Sequence, residues 1–266
     1  MLQELLLPTS IIGGLGLIFG VGLAYASKKF KVEADERVAK IREVLPGANC
    51  GACGYTGCDN FAEAVVEGKC DINACTVGGD AVTEAIGEIL GVKAEATVAK
   101  TARVMCEGTY SSCRVKYDYS GIEDCVAAAS LLGGPSACTY GCVGLGNCVR
   151  ACPFDAIEIV DGLARVIESK CKACGKCIDS CPKNIIEMVP VCGEYTVSCS
   201  SMDKGAVIRK NCSVGCIGCG KCTKVCPSGA ISVKGTLAKI NPELCTNCGE
   251  CIKVCPTNAI TWHKCG

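Results

Sequence analysis

The sequence has few of the residues on which several common protein classes depend. It contains one His, one Trp and 5% aromatic residues, and its 27 Lys and Arg residues are balanced by 27 Asp and Glu residues. A single His leaves almost no room for a His-rich metal site or a Ser-His-Asp enzyme. Few aromatic rings and zero net charge remove the usual basis for binding nucleic acid. We therefore expect no nucleic-acid partner.

Cysteine, in contrast, is abundant, with 28 among 266 residues. Such a density is typical of a disulfide scaffold or of a protein rich in thiolate-bound metal. The cellular compartment separates the two classes, because disulfides are rare in a reducing cytoplasm.

An uncharged segment near the N-terminus bears on the compartment. Leu5–Ala26 contains no charged residue and is long enough for one membrane-spanning helix. Residues 24–26 mimic a signal-peptide cleavage site, but no Lys or Arg precedes the segment as a signal peptide requires. Three lysines at residues 28–31 follow it and mark the cytoplasmic side. The pattern predicts an uncleaved single-pass anchor in the cell membrane, with the bulk of the chain in the cytoplasm and its thiols free to bind metal.

Four Cys-Pro signatures divide the second half of the chain into a duplicated pair. They begin at Cys152, Cys181, Cys226 and Cys255, at intervals of 29, 45 and 29 residues. Three of them close a C-x2-C-x2-C-x3-C-P run, the bacterial ferredoxin pattern in which three cysteines bind one [4Fe–4S] cluster and the fourth reaches the other. A zinc site needs only isolated C-x2-C pairs and does not explain why a proline follows the last cysteine of each run.

The first run differs, because Leu145 stands where the third run has Cys219. We interpret Cys138 as the ligand that replaces the missing cysteine. Cys212 has the same spacing in the second module, where Cys219 is present, and is therefore not needed as a ligand. Crossed ligation assigns four clusters. The predicted ligand sets are Cys138, Cys142, Cys148 and Cys181; Cys152, Cys171, Cys174 and Cys177; Cys216, Cys219, Cys222 and Cys255; and Cys226, Cys245, Cys248 and Cys251.

A different pattern, C-x2-C-x4-C at residues 50–58, lies between the anchor and these modules. With its interleaved glycines it suits another [4Fe–4S] cluster, whose fourth ligand is Cys75 or its competitor Cys70. A structural zinc site with four cysteines is the alternative.

The fold predicted from these features is α+β. It comprises a transmembrane anchor at 1–27, a small helical [4Fe–4S] domain at 28–100, a linker at 101–130, and ferredoxin-like modules at 131–190 and 191–266. Alternating residues around Asp161-Gly162 and Lys234-Gly235 predict a hairpin in each module.

The order of these parts resembles the B subunit of the Rnf complex, the membrane-bound ferredoxin:NAD oxidoreductase of anaerobic and other bacteria. The anchor, the CGACGYTGC stretch with Cys75, and the ferredoxin modules carry the resemblance. It implies Cys50, Cys53, Cys58 and Cys75 as ligands, and hence five [4Fe–4S] clusters.

The resemblance also implies a function. The chain would take electrons from soluble reduced ferredoxin and relay them to other Rnf subunits in the membrane, whose flavins reduce NAD while the complex moves Na+ or H+. A membrane-tethered polyferredoxin serving another anaerobic redox enzyme is the alternative. The chain has neither a G-x-G-x-x-G fingerprint nor a P-loop, so we expect no NAD site and no catalytic residue on it.

Eight cysteines have no predicted ligand role, and the default interpretation is that they behave as small buried hydrophobes. They are Cys70, Cys106, Cys113, Cys125, Cys192, Cys199, Cys212 and Cys265. Among them, Cys106, Cys113 and Cys125 are the best candidates for a further metal site, which a nearby cysteine would complete.

Charge is distributed unevenly along the chain. From Arg165 onward there are 14 Lys and Arg against 7 Asp and Glu, and before it 13 against 20. Because ferredoxins are typically acidic, the basic distal module is predicted to steer the donor. The alternative is that these lysines only offset the negative charge of the clusters.

Overall fold

The computed structural model describes residues 2–29, 35–94, 98–191 and 194–263, with the side chains at 2–12, 27 and 194 left out. The first helix, α1, spans Leu2–Lys29 and ends on two lysines. Its described apolar side chains, such as Leu17, Phe19 and Leu23, are exposed. Within the described ranges, no helix is both long and apolar enough to cross a membrane.

A small helical unit follows. It consists of α2 (Glu36–Val44), α3 (Cys58–Val66) and α4 (Gly79–Leu90). Asp35 caps α2 by accepting the Arg37 N–H, as an N-cap carboxylate does. One apolar side chain from each helix, Ile41, Phe61 and Ile86, is at most 1% exposed and forms the core. Burial of this stripe holds three short helices together that would be marginal in isolation.

The first ferredoxin-like module contains two antiparallel strand pairs and three short helices. Its elements are β1 (Lys100–Val104), α5 (Cys125–Ser130), α6 (Asn147–Ala151), β2 (Ile157–Val160), β3 (Leu163–Val166), α7 (Lys176–Asp179) and β4 (Ile186–Pro190). β1 pairs with β4, and β2 pairs with β3 across the predicted Asp161-Gly162 turn. Residues at the start of the predicted linker thus contribute a strand to this module.

The second module repeats this plan. Its elements are β5 (Glu194–Val197), α8 (Gly205–Asn211), α9 (Lys221–Val225), β6 (Ile231–Lys234), β7 (Leu237–Ile240), α10 (Glu250–Lys253) and β8 (Ile260–His263). β5 pairs with β8 as β1 does with β4, and β6 and β7 form the hairpin. The mixed α+β fold and the duplication agree with the sequence pattern.

Hydrogen bonds join the predicted linker to the first part of the second module. Arg114 donates its backbone N–H to the Asn211 carbonyl at 2.9 Å, and Ser213 donates to the Ser112 carbonyl at 2.9 Å. The Ser200 hydroxyl donates to the Met105 carbonyl at 2.9 Å. Residues 105–114 and 200–213 therefore form a shared layer where the two modules meet.

Candidate metal centres

The helical unit brings four cysteines around one cavity. Cys50, Cys53, Cys58 and Cys75 line a space of about 340 Å³ beside Phe61. Cys58 is the first residue of α3, and its N–H donates to the Asn49 side chain at 2.8 Å, which fixes the loop against the helix. Burial raises the pKa of the Cys75 thiol. Cys70 does not line this cavity, and its thiol donates to the Asp71 carbonyl at 3.6 Å.

In the first module, a cavity of about 370 Å³ is lined by four cysteines that differ in one member from the predicted set. Cys142, Cys148 and Cys181 are present, and the fourth is Cys125. Burial first, and then the neighbouring Cys142, Cys125 and Cys181, raise the pKa of Cys148 to about 12. Cys138 lines a separate cavity next to this one.

A hydrogen-bonded cap holds Cys125 in place. Its N–H donates to the Asn147 side-chain oxygen at 2.8 Å, and the Asn147 amide donates to Asp124 at 2.7 Å. Asp124 also accepts the Ala127 N–H and so caps α5. Leu145, which stands where the third run has Cys219, packs against the cluster of apolar residues that contains Cys125. The sequence shows only that a cysteine is missing at residue 145, and the folded position of α5 brings Cys125 to this group.

The second predicted set of this module is also brought together. The pKa of Cys177 is raised to about 11 by burial first and then by Cys171, Cys174 and Cys152. Backbone N–H groups of Ala102 and Ala156 donate to the sulfurs of Cys171 and Cys152, each at 3.4 Å. Such hydrogen bonds favour the thiolate that an iron-sulfur cluster requires.

The second module reproduces both groups. Cys216, Cys219, Cys222 and Cys255 line a cavity of about 350 Å³, and the Ala259 N–H donates to the Cys255 sulfur at 3.3 Å. The remaining set is Cys226, Cys245, Cys248 and Cys251. Burial raises the pKa of Cys251 to about 11, with further contributions from Cys245 and Cys222. Cys219 and Cys248 are exposed, so this module reaches the surface at both groups.

Glycine is required where the ligand loop meets the hairpin. A Cβ on Gly218, which has φ +63°, would lie 2.5 Å from the Thr236 carbonyl oxygen. Gly144, with φ +79°, is enclosed by Gly162 in the corresponding position of the first module. The hairpin turn can therefore close over the ligand loop only if these positions carry no side chain.

The cavities fit a group larger than one metal ion. In the described part of the chain, no cluster of three or more His, Cys, Asp and Glu side chains stands so as to hold a metal ion. A cluster of four iron and four sulfur atoms occupies more space than one ion, and four thiols around a cavity match the four ligands it needs. Cys192 and Cys265 lie outside the described residues.

Comparisons with known proteins agree with these centres. A family model described as "Putative Fe-S cluster" matches residues 45–77, and two described as "4Fe-4S dicluster domain" match residues 133–182 and 215–259.

Three curated proteins, each named as the B subunit of an oxidoreductase complex, are similar over most of the chain. That of the "Na(+)-translocating ferredoxin:NAD(+) oxidoreductase complex" of Acetobacterium woodii is 46% identical over 92% of this chain and 74% of its own. The chain belongs to the family of Rnf B subunits. The B subunit of the "Ion-translocating oxidoreductase complex" of Methanosarcina acetivorans is 42% identical over 89% of this chain and 90% of its own. The B subunit of the "Proton-translocating ferredoxin:NAD(+) oxidoreductase complex" of Clostridium ljungdahlii is 45% identical over 87% of this chain and 82% of its own.

Family membership confirms the resemblance found in the order of motifs. The matched domains also confirm two [4Fe–4S] dicluster modules in a mixed α+β chain. The individual ligands and the number of clusters remain proposals.

Proposed function

We propose that this chain is the electron-transfer subunit of a membrane-bound Rnf complex. It takes electrons from reduced ferredoxin and relays them toward flavin-bearing subunits that reduce NAD, while the complex translocates Na+ or H+. The observation that carries this proposal is the repeated grouping of four cysteines across three domains. The names of the relatives, each belonging to a translocating oxidoreductase complex, support it.

Five groups of cysteines are proposed as ligands of [4Fe–4S] clusters. They are Cys50, Cys53, Cys58 and Cys75; Cys125, Cys142, Cys148 and Cys181; Cys152, Cys171, Cys174 and Cys177; Cys216, Cys219, Cys222 and Cys255; and Cys226, Cys245, Cys248 and Cys251. When bound, such clusters exchange one electron at a time at potentials set by hydrogen bonds, burial and charge. The chain supplies backbone N–H groups to the sulfurs and excludes water from the buried ones.

Neighbouring groups of cysteines are near enough to affect one another. Cys222 contributes to the raised pKa of Cys251, and Cys177 contributes to that of Cys148. Cys50 of the helical unit contributes to the raised pKa of Cys174. The three pairs link the helical unit to the first module and the two groups within each ferredoxin-like module.

We propose that the donor docks at the second module. Lys221 and Lys224 on α9 and Lys253 on α10 are exposed, and α9 and α10 each follow a glycine beside an exposed cysteine, Cys219 or Cys248. Lys253 pairs with Glu250 at 2.7 Å, but both side chains are at least half exposed, so this ion pair is weak. The positive charge therefore remains available to an acidic ferredoxin.

The anchor and domain boundaries are proposed on the pattern of the chain. The uncharged segment Leu5–Ala26 lies within α1, and Lys28 and Lys29 close its last turn. We assign 1–27 as the membrane anchor with the remainder in the cytoplasm, and 28–100, 131–190 and 191–266 as the three iron-sulfur domains. Residues 101–130 connect them, with β1 pairing into the first module.

Electron uptake from ferredoxin tests the function. The full chain, isolated without oxygen, is mixed with reduced ferredoxin, and we expect its visible absorbance to fall. Replacing Lys221, Lys224 and Lys253 with Gln should slow this step roughly ten-fold at low salt and reduce its salt dependence. A control triple variant, Lys40→Gln, Lys69→Gln and Lys93→Gln, removes the same charge from the helical unit and should not slow it.

Two results would contradict these proposals separately. No change in absorbance of the parent chain would contradict the electron-transfer function. Equal rates for the two triple variants would contradict only the docking surface.

A further inference from the structure

A cavity with six cysteines lies in the layer where the two modules meet. The cysteines lining it are Cys106, Cys113, Cys138, Cys142, Cys199 and Cys212. Four of them, Cys106, Cys113, Cys199 and Cys212, fall outside every matched family domain.

Two short segments bring one pair of these thiols together. Cys113 and Cys212 face each other in an isolated antiparallel bridge between these segments. The bridge is continued on one side by the Ala137 N–H, which donates to the Arg114 carbonyl at 2.7 Å. The backbone thus fixes Cys113 and Cys212 beside the segment that carries Cys138.

Two glycines show how closely four cysteines converge. A Cβ on Gly108 would lie 3.4 Å from the Cys113 Cβ, 3.5 Å from the Cys106 sulfur and 3.9 Å from the Cys212 sulfur. A Cβ on Gly141 would lie 3.7 Å from both the Cys106 sulfur and the Cys138 Cβ. Side chains at these glycines would crowd the cavity, so the backbone around it is shaped to leave its interior free.

The other two cysteines are committed elsewhere. Cys142 lines the first-module cavity as well and belongs to that group. Cys199 packs against the core of the second module, which contains Cys216. Four thiols remain for the cavity itself.

We propose that Cys106, Cys113, Cys138 and Cys212 bind a further [4Fe–4S] cluster between the two modules. The Gly108 N–H donates to the Cys106 sulfur at 3.3 Å, the same kind of contact that the ligand sulfurs of both modules receive. A disulfide between Cys113 and Cys212 would leave Cys106 and Cys138 unused in the same cavity. Four cysteine donors around one cavity instead match the four ligands that a cubic cluster requires.

The position gives this site a role that goes beyond the proposed function of the separate modules. Cys106 belongs to the buried core of the first module, against which Cys142 packs, and this connects the site to the first-module group. On the other side, Cys199 lines the cavity and packs against the core that contains Cys216, which connects the site to the second-module group. The site would therefore supply the link between the two ferredoxin-like modules.

Iron content of the full chain, isolated without oxygen, tests the proposal. Six clusters require about 24 iron atoms per chain and five require about 20. The double variant Cys113→Ala, Cys212→Ala removes two of the four ligands and should lose about four iron atoms per chain. The control Cys199→Ala lines the same cavity without being a proposed ligand and should retain the parent iron content and electron paramagnetic resonance spectrum.

Several results would overturn the proposal. A parent chain with about 20 iron atoms would do so, as would equal iron in the parent and the double variant. Zinc in place of the missing iron, or loss of iron in Cys199→Ala, would also overturn the assignment. The parent count needs no variant and so holds even where the double variant does not fold. It is independent of ferredoxin oxidation, so failure here leaves the electron-transfer function standing.

Discussion

Removing Cys125 should deplete the first module of iron, because the structure places this thiol beside Cys142, Cys148 and Cys181. The spacing of motifs predicts instead that Cys125 is spare and that Cys138 completes the set. The two assignments are separated by combining substitutions. The double variant Cys142→Ala, Cys148→Ala empties the centre under either assignment and should lose about four iron atoms per chain, the content of one cluster.

The third substitution then discriminates. Adding Cys125→Ala to the double variant should cause no further loss, because its centre is already empty. Adding Cys138→Ala should lower the iron content further, by up to about four atoms, because Cys138 lines the separate cavity between the modules. This follows the general rule that changes at one site are non-additive while changes at independent sites add.

Iron per chain, measured with electron paramagnetic resonance spectra of each variant, provides the assay. The single variant Cys125→Ala must also lose iron on the parent background. The structural assignment would be refuted if Cys125→Ala kept the parent iron content. If Cys138→Ala caused no additional loss in the emptied background, Cys138 would belong with Cys142, and the link between modules would be lost with it.

Two further predictions concern the scaffold. Gly218→Ala should lower the free energy of unfolding by about 2 kcal/mol or more, because it adds a close contact with the Thr236 carbonyl to the strain of a positive φ. The control Gly229→Ala has a φ in the same region but open space around it, so it should cost only about 1 kcal/mol. Equal costs in chemical denaturation of the holoprotein would contradict the close approach of Gly218 to Thr236. Deleting residues 1–27 should move the chain from the membrane to the soluble fraction, with its iron content retained. The anchor would be contradicted if the truncated chain still sedimented with membranes in the absence of its partner subunits.

The arrangement within each module was largely predictable because it depends on local spacing. A C-x2-C-x2-C-x3-C run places its ligands in one tight loop and short helix, and the Asp161-Gly162 dipeptide sets its own hairpin turn. The pairing of β1 with β4 was not predictable in this way. Lys100 and Pro190 are partners across the pair although ninety residues separate them, and no short-range pattern specifies such a contact.

The difference between local spacing and long-range contacts also explains which cysteines the sequence pattern did and did not assign to the groups seen in the structure. Cys75 was found because the resemblance supplied its spacing, and the structure brings it to the group at residues 50–58. Cys125 and Cys212 reach their cavities through tertiary contacts of α5 and of the end of α8. Their positions depend on how neighbouring segments pack, so counting residues between cysteines gave no reason to prefer them.

The proposed exchange of one ligand makes the two modules unequal at one position where they otherwise correspond. In the second module this position is Cys219, which is exposed and lies two residues before Lys221 on α9. In the first module Leu145 takes that position, and Cys125, 8% exposed, arrives from α5 and covers it. Electron exchange with a soluble donor needs an approachable centre, whereas exchange between fixed centres is better served by exclusion of water. The proposed substitution of an exposed ligand by a buried one therefore fits a chain in which the second module meets the donor and the first passes electrons inward.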